Sequence, residues 1–239
     1  MLTVNFKLFR IEEGDRFLDV GCGEGRHSYE AYRLNNGSGL TCALDPDNYS
    51  LKKTKYVLDY MDQQNGHSGN RNVLMGDALK LPFRDACFDK IICSEVLEHV
   101  ADPDDGIEEM VRVLRPGGLM AVTVPTYIPE WTCWTIDSDY YNHPGGHVRI
   151  FTVKGLIAAL RRHRLRVYAI RHEHAFHSIY WNMRCMFGLK NEEARIPELY
   201  LRFLELQITT KSRFVGWVER IFNHIFPKSI VVYTVKDER

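Results

Sequence analysis

Phe17-Leu18-Asp19-Val20-Gly21-Cys22-Gly23-Glu24-Gly25 decides how the rest of this chain is read. An apolar strand runs past an acidic residue into a turn with glycine at every second position, and a helix is expected near 25–35. Such a turn leaves bare backbone beside the unpaired N–H donors that open the helix, a setting suited to a polar ligand. Alone it is a weak signal, because many nucleotide sites and plain tight turns share it. Its neighbours strengthen it. Asp45 closes the apolar run Leu40-Thr41-Cys42-Ala43-Leu44, and Gly76-Asp77-Ala78 follows Val73-Leu74-Met75. Three successive strand ends carry an acidic residue, which suits a ligand with an amine, a ribose and an adenine.

A dinucleotide fingerprint is the rival. It needs Gly-x-Gly-x-x-Gly, a small neutral lead-in and room for a pyrophosphate. Here the third glycine comes one residue early and Asp19 precedes the turn. A carboxylate there repels a pyrophosphate and attracts a cationic amino acid group. S-adenosylmethionine is therefore the expected ligand.

Outward from this turn, strand and helix patterns alternate. Strands are predicted near 16–20, 39–44, 71–75, 88–93 and 118–124, with helices near 25–35, 49–63, 103–114 and 152–163. Asp102, Pro103 and the acidic pair Asp104 and Asp105 mark the third of these helix starts, and Gly117-Gly118 is expected to end that helix. Alternation of this kind implies a parallel sheet covered on both faces, with ligands outside the carboxyl ends of the strands. Residues 165–170 and 230–235 read as two further strands.

The ordered set Leu18-Asp19-Val20-Gly21-Cys22-Gly23-Glu24-Gly25, Leu44-Asp45-Pro46, Gly76-Asp77-Ala78-x-x-Leu81-Pro82-Phe83, Phe88-Asp89 to Glu98-His99-Val100 and Leu114-Arg115-Pro116-Gly117-Gly118 resembles the class I S-adenosylmethionine-dependent methyltransferases of the type 11 group. The likeness covers roughly residues 15–125. It implies an α/β fold, a doubly wound, mostly parallel seven-stranded Rossmann-like sheet whose last two strands form an antiparallel pair. The family usually joins that pair by a short turn. Here roughly residues 175–228 intervene, so the expected organisation is a cofactor-binding domain of 1–174 plus 229–239 with a helical substrate cap of 175–228.

The resemblance also assigns roles. Asp19, Gly21, Cys22, Gly23 and Gly25 would hold the methionine end of the cofactor. Asp45 would accept the ribose hydroxyls, Asp77 the adenine amino group beside Ala78, and Ser94 would lie beside the transferable methyl. Glu95, Glu98 and His99 stand at i, i+3 and i+4, so in a helical turn they would share a face and form a divalent-metal half-site. His147, in Gly145-Gly146-His147-Val148-Arg149-Ile150-Phe151, would supply a fourth ligand. That arrangement is similar to ubiquinone-pathway O-methyltransferases and small-RNA 2′-O-methyltransferases, where the metal would lower the pKa of the acceptor hydroxyl. The competing reading has Glu98 and His99 bonding neighbouring loops, with His99 or His147 serving as general base without a metal.

Composition sets the outer bounds. At 239 residues and 45% hydrophobic content, the chain can bury one good core with an attached cap. The six cysteines form no CxxC pair, and several fall in apolar strand patterns, so buried free thiols in a reducing compartment are expected. No basic-then-apolar leader and no membrane-spanning run are present, which fits a cytoplasmic protein, soluble or peripheral to a membrane. Residues 1–144 hold 14 Lys+Arg against 23 Asp+Glu, a net of −9, while 145–228 hold 15 against 6, a net of +9. Either the two halves complement each other or the basic half meets an anionic partner.

The aromatic run Trp131, Trp134, Tyr140 and Tyr141 reads as a substrate wall, and His172, His174 and His177 read as solvent-facing or satisfied histidines. Phe214, Trp217, Val218, Ile221, Phe222 and Ile225 make an apolar helical stripe flanked by Lys211, Arg213, Arg220 and Lys228. It would pack on the body of the protein or give residues 211–228 a peripheral membrane contact. The 126–150 loop and the 175–228 insertion, rather than the N-terminal segment, are expected to enclose the acceptor. Cys93-Ser94-Glu95-Val96 replaces the Asn/Asp-Pro-Pro-Tyr/Phe of base-nitrogen methylating enzymes, which argues against DNA bases. The expected activity is methyl transfer to a small-molecule or lipid-like acceptor, at oxygen. The alternatives are a nucleic acid ribose 2′-O-methyltransferase, disfavoured by the neutral overall charge, and a non-catalytic cofactor-binding interaction or membrane module. Oligomeric state stays open.

Overall fold

Strands β1 (Arg16–Val20) and β4 (Phe88–Ser94) pair in parallel at the middle of the sheet and present side chains to both faces. Leu18 and Val20 point into one apolar layer and Phe17 into the other, the alternation that a strand covered on both sides requires. β2 (Leu40–Asp45), β3 (Asn70–Met75) and β5 (Leu114–Pro125) extend the parallel sheet on either side. The computed structural model describes residues 2–65, 69–142, 145–191, 194–210 and 212–238, without the side chains of Asn65 and Asp139.

The complete order is β3-β2-β1-β4-β5-β7-β6, with β6 (Leu165–Glu173) and β7 (Ser229–Lys236) completing seven strands. β7 runs antiparallel to β6, as the resemblance implied, and also to β5. The chain winds outward from β1 through β2 to β3 and returns to β4 on the other side of β1, so a cleft opens above the carboxyl ends of these parallel strands. One apolar layer joins the sheet to Ile107 and Met110 of α4 (Pro103–Val113) and to Leu156 and Leu160 of α6 (Val153–Arg162). The other joins it to Val4, to Phe9 of α1 (Phe6–Phe9) and to Ala31 of α2 (Arg26–Asn35). α3 (Asn48–Asn65) flanks β2 and β3.

Two expectations shift in detail. The α4 helix stops at Val113, before Gly117-Gly118. Leu114 already pairs with Phe88, and the ladder then slips so that Lys90 meets Leu119, with Gly117 at φ +72 inside the irregularity. The aromatic stretch after β5 is a helix, α5 (Tyr127–Ile136), rather than a loop. The insertion between β6 and β7 is helical, as expected: α7 (Ala175–Phe187), α8 (Arg195–Thr210) and α9 (Arg213–Phe222). All six cysteines are free and buried. No described helix is long and apolar enough to cross a membrane.

The acidic and basic halves meet at several points. Arg162 and His163 pair with Asp104 at 2.7 and 3.0 Å, Lys228 reaches Glu95 at 3.2 Å, and Arg149 donates to the Ala101 carbonyl at 2.6 Å. Mutual complementarity therefore uses part of the charge asymmetry. Arg213 and Arg220 stay on the exposed surface of α9.

Candidate active site

The glycine turn is held by its backbone. Gly21 and Cys22 donate N–H to the Leu44 carbonyl at 2.8 and 3.0 Å, tying the end of β1 to the end of β2. Gly21 has φ +69, and a methyl group on its α carbon would fall 2.2 Å from Val96 Cγ2, so a side chain is excluded by both conformation and space. Gly23 also has positive φ, +51, but a Cβ there would meet no atom within 4 Å. Its backbone faces open volume.

That volume is a cavity of about 870 Å³ above β1, β2 and β4. Of the residues expected to bind the cofactor, Gly21, Cys22, Gly23, Asp45, Asp77, Ala78 and Ser94 line it. Asp45 accepts Gly23 N–H on Oδ2 and Asp47 N–H on Oδ1, both at 2.8 Å, which holds its carboxylate at the rim of the turn. Asp77 is oriented by Leu79 N–H at 2.9 Å, and the Ser94 hydroxyl shares a 2.9 Å bond with Thr123. The fit to S-adenosylmethionine is good on this wall: exposed glycine backbone, two carboxylates at successive strand ends, and ample volume.

Asp19 and Gly25 differ from the expectation, since neither lines the cavity. Asp19 is buried and serves the helix behind the turn, accepting the Ser28 hydroxyl at 2.6 Å together with Ser28 N–H. α2 has no side-chain cap of its own at Gly25, so Asp19 supplies an acceptor from the neighbouring strand. Burial pushes its carboxyl up to about 7 against the pull of those bonds, and Oδ1 has no partner. Gly25 turns the chain at φ +80 where Thr54 and Tyr29 leave no room for a Cβ.

The predicted Glu95, Glu98, His99 and His147 group is only partly assembled. Residues 97–99 form a turn rather than a helix, so the i, i+3, i+4 argument does not apply. Glu95, at φ +56, is drawn away by Lys228 at 3.2 Å and Thr123 Oγ1 at 3.1 Å. Ligand atoms of the other three lie within 4.8 Å of one another. Glu98 is buried with neither carboxylate oxygen bonded, and burial together with the Glu95 charge pushes its carboxyl well above the ordinary range. This carboxylate and two imidazoles could hold a divalent cation, but only His99 also lines the cavity.

The two histidines have different settings. His99 holds Nδ1 3.3 Å from the Gly146 carbonyl, which can only accept, so Nδ1 carries the proton and Nε2 is left with a lone pair. Burial, and then the neighbouring His147, lower its pKa. His147 stacks edge-on against it at 4.8 Å and donates Nδ1–H to Glu130. Glu130 is buried and also accepts from Trp134 Nε1 at 3.3 Å and the Tyr140 hydroxyl at 3.1 Å. This explains why the aromatic run is not a substrate wall. Trp134 and Tyr140 turn their polar atoms inward to Glu130, Tyr141 stacks on Trp134 at 4.7 Å, Trp131 is half exposed, and none of the four rings lines the cavity.

The remaining wall comes from residues given other roles or none by the sequence. Thr3 lines the cavity from the N-terminal side, with Thr3 and Val4 donating N–H to Nε2 of the buried His27 at 3.2 and 3.3 Å. The N-terminal segment thus contributes to the enclosure, contrary to expectation. His174, His177, Trp181 and Ile208 enter from the insertion, with Lys228 just before β7. His174 and His177 are neither solvent-facing nor both satisfied: His177 Nδ1 is buried without a partner. Burial drives His174 to about 3, and His177 and His27 to about 4, so all three are neutral at pH 7. Burial alone would depress Lys228, but Glu95, Glu98 and Glu130 more than offset it and keep the ammonium charged. The i, i+3 spacing of His174 and His177 at the start of the insertion was the one available signal.

A family model described as "Methyltransferase domain" matches residues 11–159, more than half of the chain. O-methyltransferase rstn1 of Aspergillus nomiae is 31% identical over 109 residues, 46% of this chain and 46% of that protein. The ubiquinone/menaquinone biosynthesis C-methyltransferase UbiE of Pseudomonas paraeruginosa is 35% identical over 116 residues, 48% of this chain and 44% of that protein. The matched region spans less than half the length of these curated relatives. Among solved structures, a SAM-dependent methyltransferase from Methanosarcina mazei superposes with a TM-score of 0.65 at 18% identity, covering 100% of both chains. With its glycine turn, strand-end acids and sheet order on one cleft, the chain belongs to the methyltransferase-domain family and has the class I S-adenosylmethionine-dependent methyltransferase fold.

Proposed function

We propose that this protein transfers the methyl group of S-adenosylmethionine to an apolar or lipid-like small molecule at oxygen, with His99 removing the acceptor's proton. The observation that carries this reading is the state of His99. It is a neutral imidazole at the cavity wall, pinned through Nδ1 and basic at Nε2, beside the donor side of the cleft. When bound, S-adenosylmethionine supplies an electrophilic methyl on a sulfonium leaving group. The chain's residues then have to align the acceptor, exclude water and accept a proton. The Gly21–Gly23 backbone would receive the methionine end, Asp45 the ribose hydroxyls and Asp77 the adenine amino group, with Asp19 holding α2 in place behind them. Val96, Val100, Trp181 and Ile208 give the acceptor side its apolar character. The 175–228 insertion is accordingly read as a substrate cap.

A second reading adds a divalent cation at Glu98, His99 and His147, favoured by the two unpartnered carboxylate oxygens of Glu98. The cation would polarise the acceptor hydroxyl. Calorimetric titration with S-adenosylmethionine tests the donor side first. Wild type should bind, and Asp45→Ala and Asp77→Ala should each weaken binding by about 10- to 100-fold, the range for a lost charge-assisted pair of hydrogen bonds. A folded wild type that does not bind would overturn the assignment. Release of S-adenosylhomocysteine with hydroxylated aromatic acceptors, measured with EDTA and then with Mg²⁺ or Zn²⁺, separates the readings. Chelation leaves the rate unchanged if His99 acts alone and abolishes it, with metal rescue, if the cation is needed.

A further inference from the structure

Helix α9 buries none of its residues fully, although it is strongly amphipathic. It rests on the protein through Val215, Val218 and Glu219, with Glu219 accepting from Gln207 of α8 at 2.7 Å. The opposite stripe faces outward: Phe214 is 72% exposed, Trp217 53% and Ile221 44%, with Ile225 beyond the helix end at 69%. On a helical wheel Arg213 and Arg220 lie together along one edge of that stripe. Of the other two basic flanks expected there, Lys211 lies outside the described residues and Lys228 lines the cavity, paired with Glu95, rather than the stripe. α8 exposes Leu199 and Leu206 as well. A soluble surface rarely leaves several large apolar side chains uncovered along one helix. Of the stripe expected to pack on the body, Val218 is half-buried and Phe222 lies against Phe176 of α7 with ring centroids 5.9 Å apart, while Phe214, Trp217, Ile221 and Ile225 stay outside.

The charge pattern selects the partner. The stretch 145–228 carries a net +9, and several of its cations inside the fold are already used against the acidic half. Arg213 and Arg220, both exposed, instead line an open groove together with Phe214 and Trp217. An aromatic and aliphatic stripe with basic residues at its margin matches the headgroup boundary of an anionic bilayer. Consecutive residues of α8 serve both: Gln207 lines the groove and Ile208 lines the cavity. We propose that the exposed face of α8 and α9 docks this protein on an anionic membrane surface and brings the cavity mouth to the lipid. The docking does not depend on the methyltransferase reading. The further step, that an apolar acceptor enters from the bilayer, rests on it.

Cosedimentation of the full chain with phosphatidylcholine vesicles, with and without phosphatidylglycerol, tests the docking. Wild type should partition onto the anionic vesicles and be released by salt. Phe214→Ser/Trp217→Ser should lower the partition coefficient by ~10-fold or more, because two interfacial aromatic anchors are lost. Arg213→Glu/Arg220→Glu should remove the preference for phosphatidylglycerol. Circular dichroism and S-adenosylmethionine affinity should match wild type in both variants. A folded wild type that stays in the supernatant with anionic vesicles overturns the proposal, as does undiminished binding by Phe214→Ser/Trp217→Ser. Size-exclusion chromatography without lipid adds a third check. A wild-type dimer that the aromatic substitutions convert to monomer would assign the face to a second copy of the chain and also overturn it. Cofactor affinity is read separately, so failure of docking and failure of the methyltransferase reading give different results.

Discussion

The two walls of the cavity are made of different material. The wall proposed above to hold the donor is backbone and short acidic side chains drawn from Gly21 to Ser94, each at or just beyond a strand end, and held by main-chain bonds such as Gly21 N–H to the Leu44 carbonyl. The opposite wall, proposed above to face the acceptor, is built from the side chains of Thr3, His99, His174, His177, Trp181, Ile208 and Lys228, which are scattered over most of the chain. The first wall is local in sequence and rigid, because a parallel sheet sets its geometry. The second is assembled by packing among α5, α7, α8 and the N-terminal segment, and it can be rebuilt without disturbing the sheet. One ligand can therefore stay constant while the other varies.

His99→Gln challenges this contrast most severely. It should reduce kcat by ~100- to 10,000-fold while leaving S-adenosylmethionine affinity unchanged, since a general base is removed from the acceptor side alone. A matching loss of cofactor affinity would show that the walls are not separable. Gly21→Ala attacks the donor wall. With positive φ and a 2.2 Å clash against Val96, it should destabilise the fold by ~2–4 kcal/mol and abolish cofactor binding, as measured by chemical denaturation and calorimetry. Stability within the wild-type range would mean that the turn can reshape.

The smallest effect concerns pH. His174 and His177 are held neutral in the fold at about 3 and 4, whereas an unfolded histidine takes up a proton near 6.5. Below pH ~6.5 the unfolded chain therefore binds more protons at these positions, and their contribution to stability falls as pH drops toward the folded values. Each costs ~1.4 kcal/mol per pH unit in that window. Thermal melts of His174→Gln/His177→Gln should accordingly lose less Tm on acidification than wild type does. Asp19, raised to about 7 by burial, has the opposite sign: its contribution declines as pH rises from the ordinary carboxylate value toward 7, and it is unchanged between the two proteins.

The glycine turn and the strand-end acids that line the cavity were legible beforehand because their signals are short-range. A glycine turn after a strand, and an acid at the end of the next apolar run, describe local backbone and need no knowledge of what packs above them. The misreadings came where a role depended on a distant partner. Asp19 looks like its fellow strand-end acids, but Ser28 on the following helix turns it inward. Glu95 has metal-ligand spacing relative to Glu98 and His99, but Lys228, 133 residues away in sequence, takes its carboxylate. Trp134 and Tyr140 resemble a pocket lining until the buried Glu130 collects their donors.

Local order of apolar runs, glycines and acids was enough to read the alternating architecture, the glycine turn with its strand-end acids and the amphipathic helix of the insertion, because backbone sterics and strand burial act between near neighbours; the sheet's antiparallel ending followed from the family resemblance. Tertiary structure alone decided which histidine faces the cavity, which carboxylates are bonded and which apolar stripe is left uncovered. Those properties depend on burial and on partners brought together from far along the chain, and neither is written in the spacing of residues.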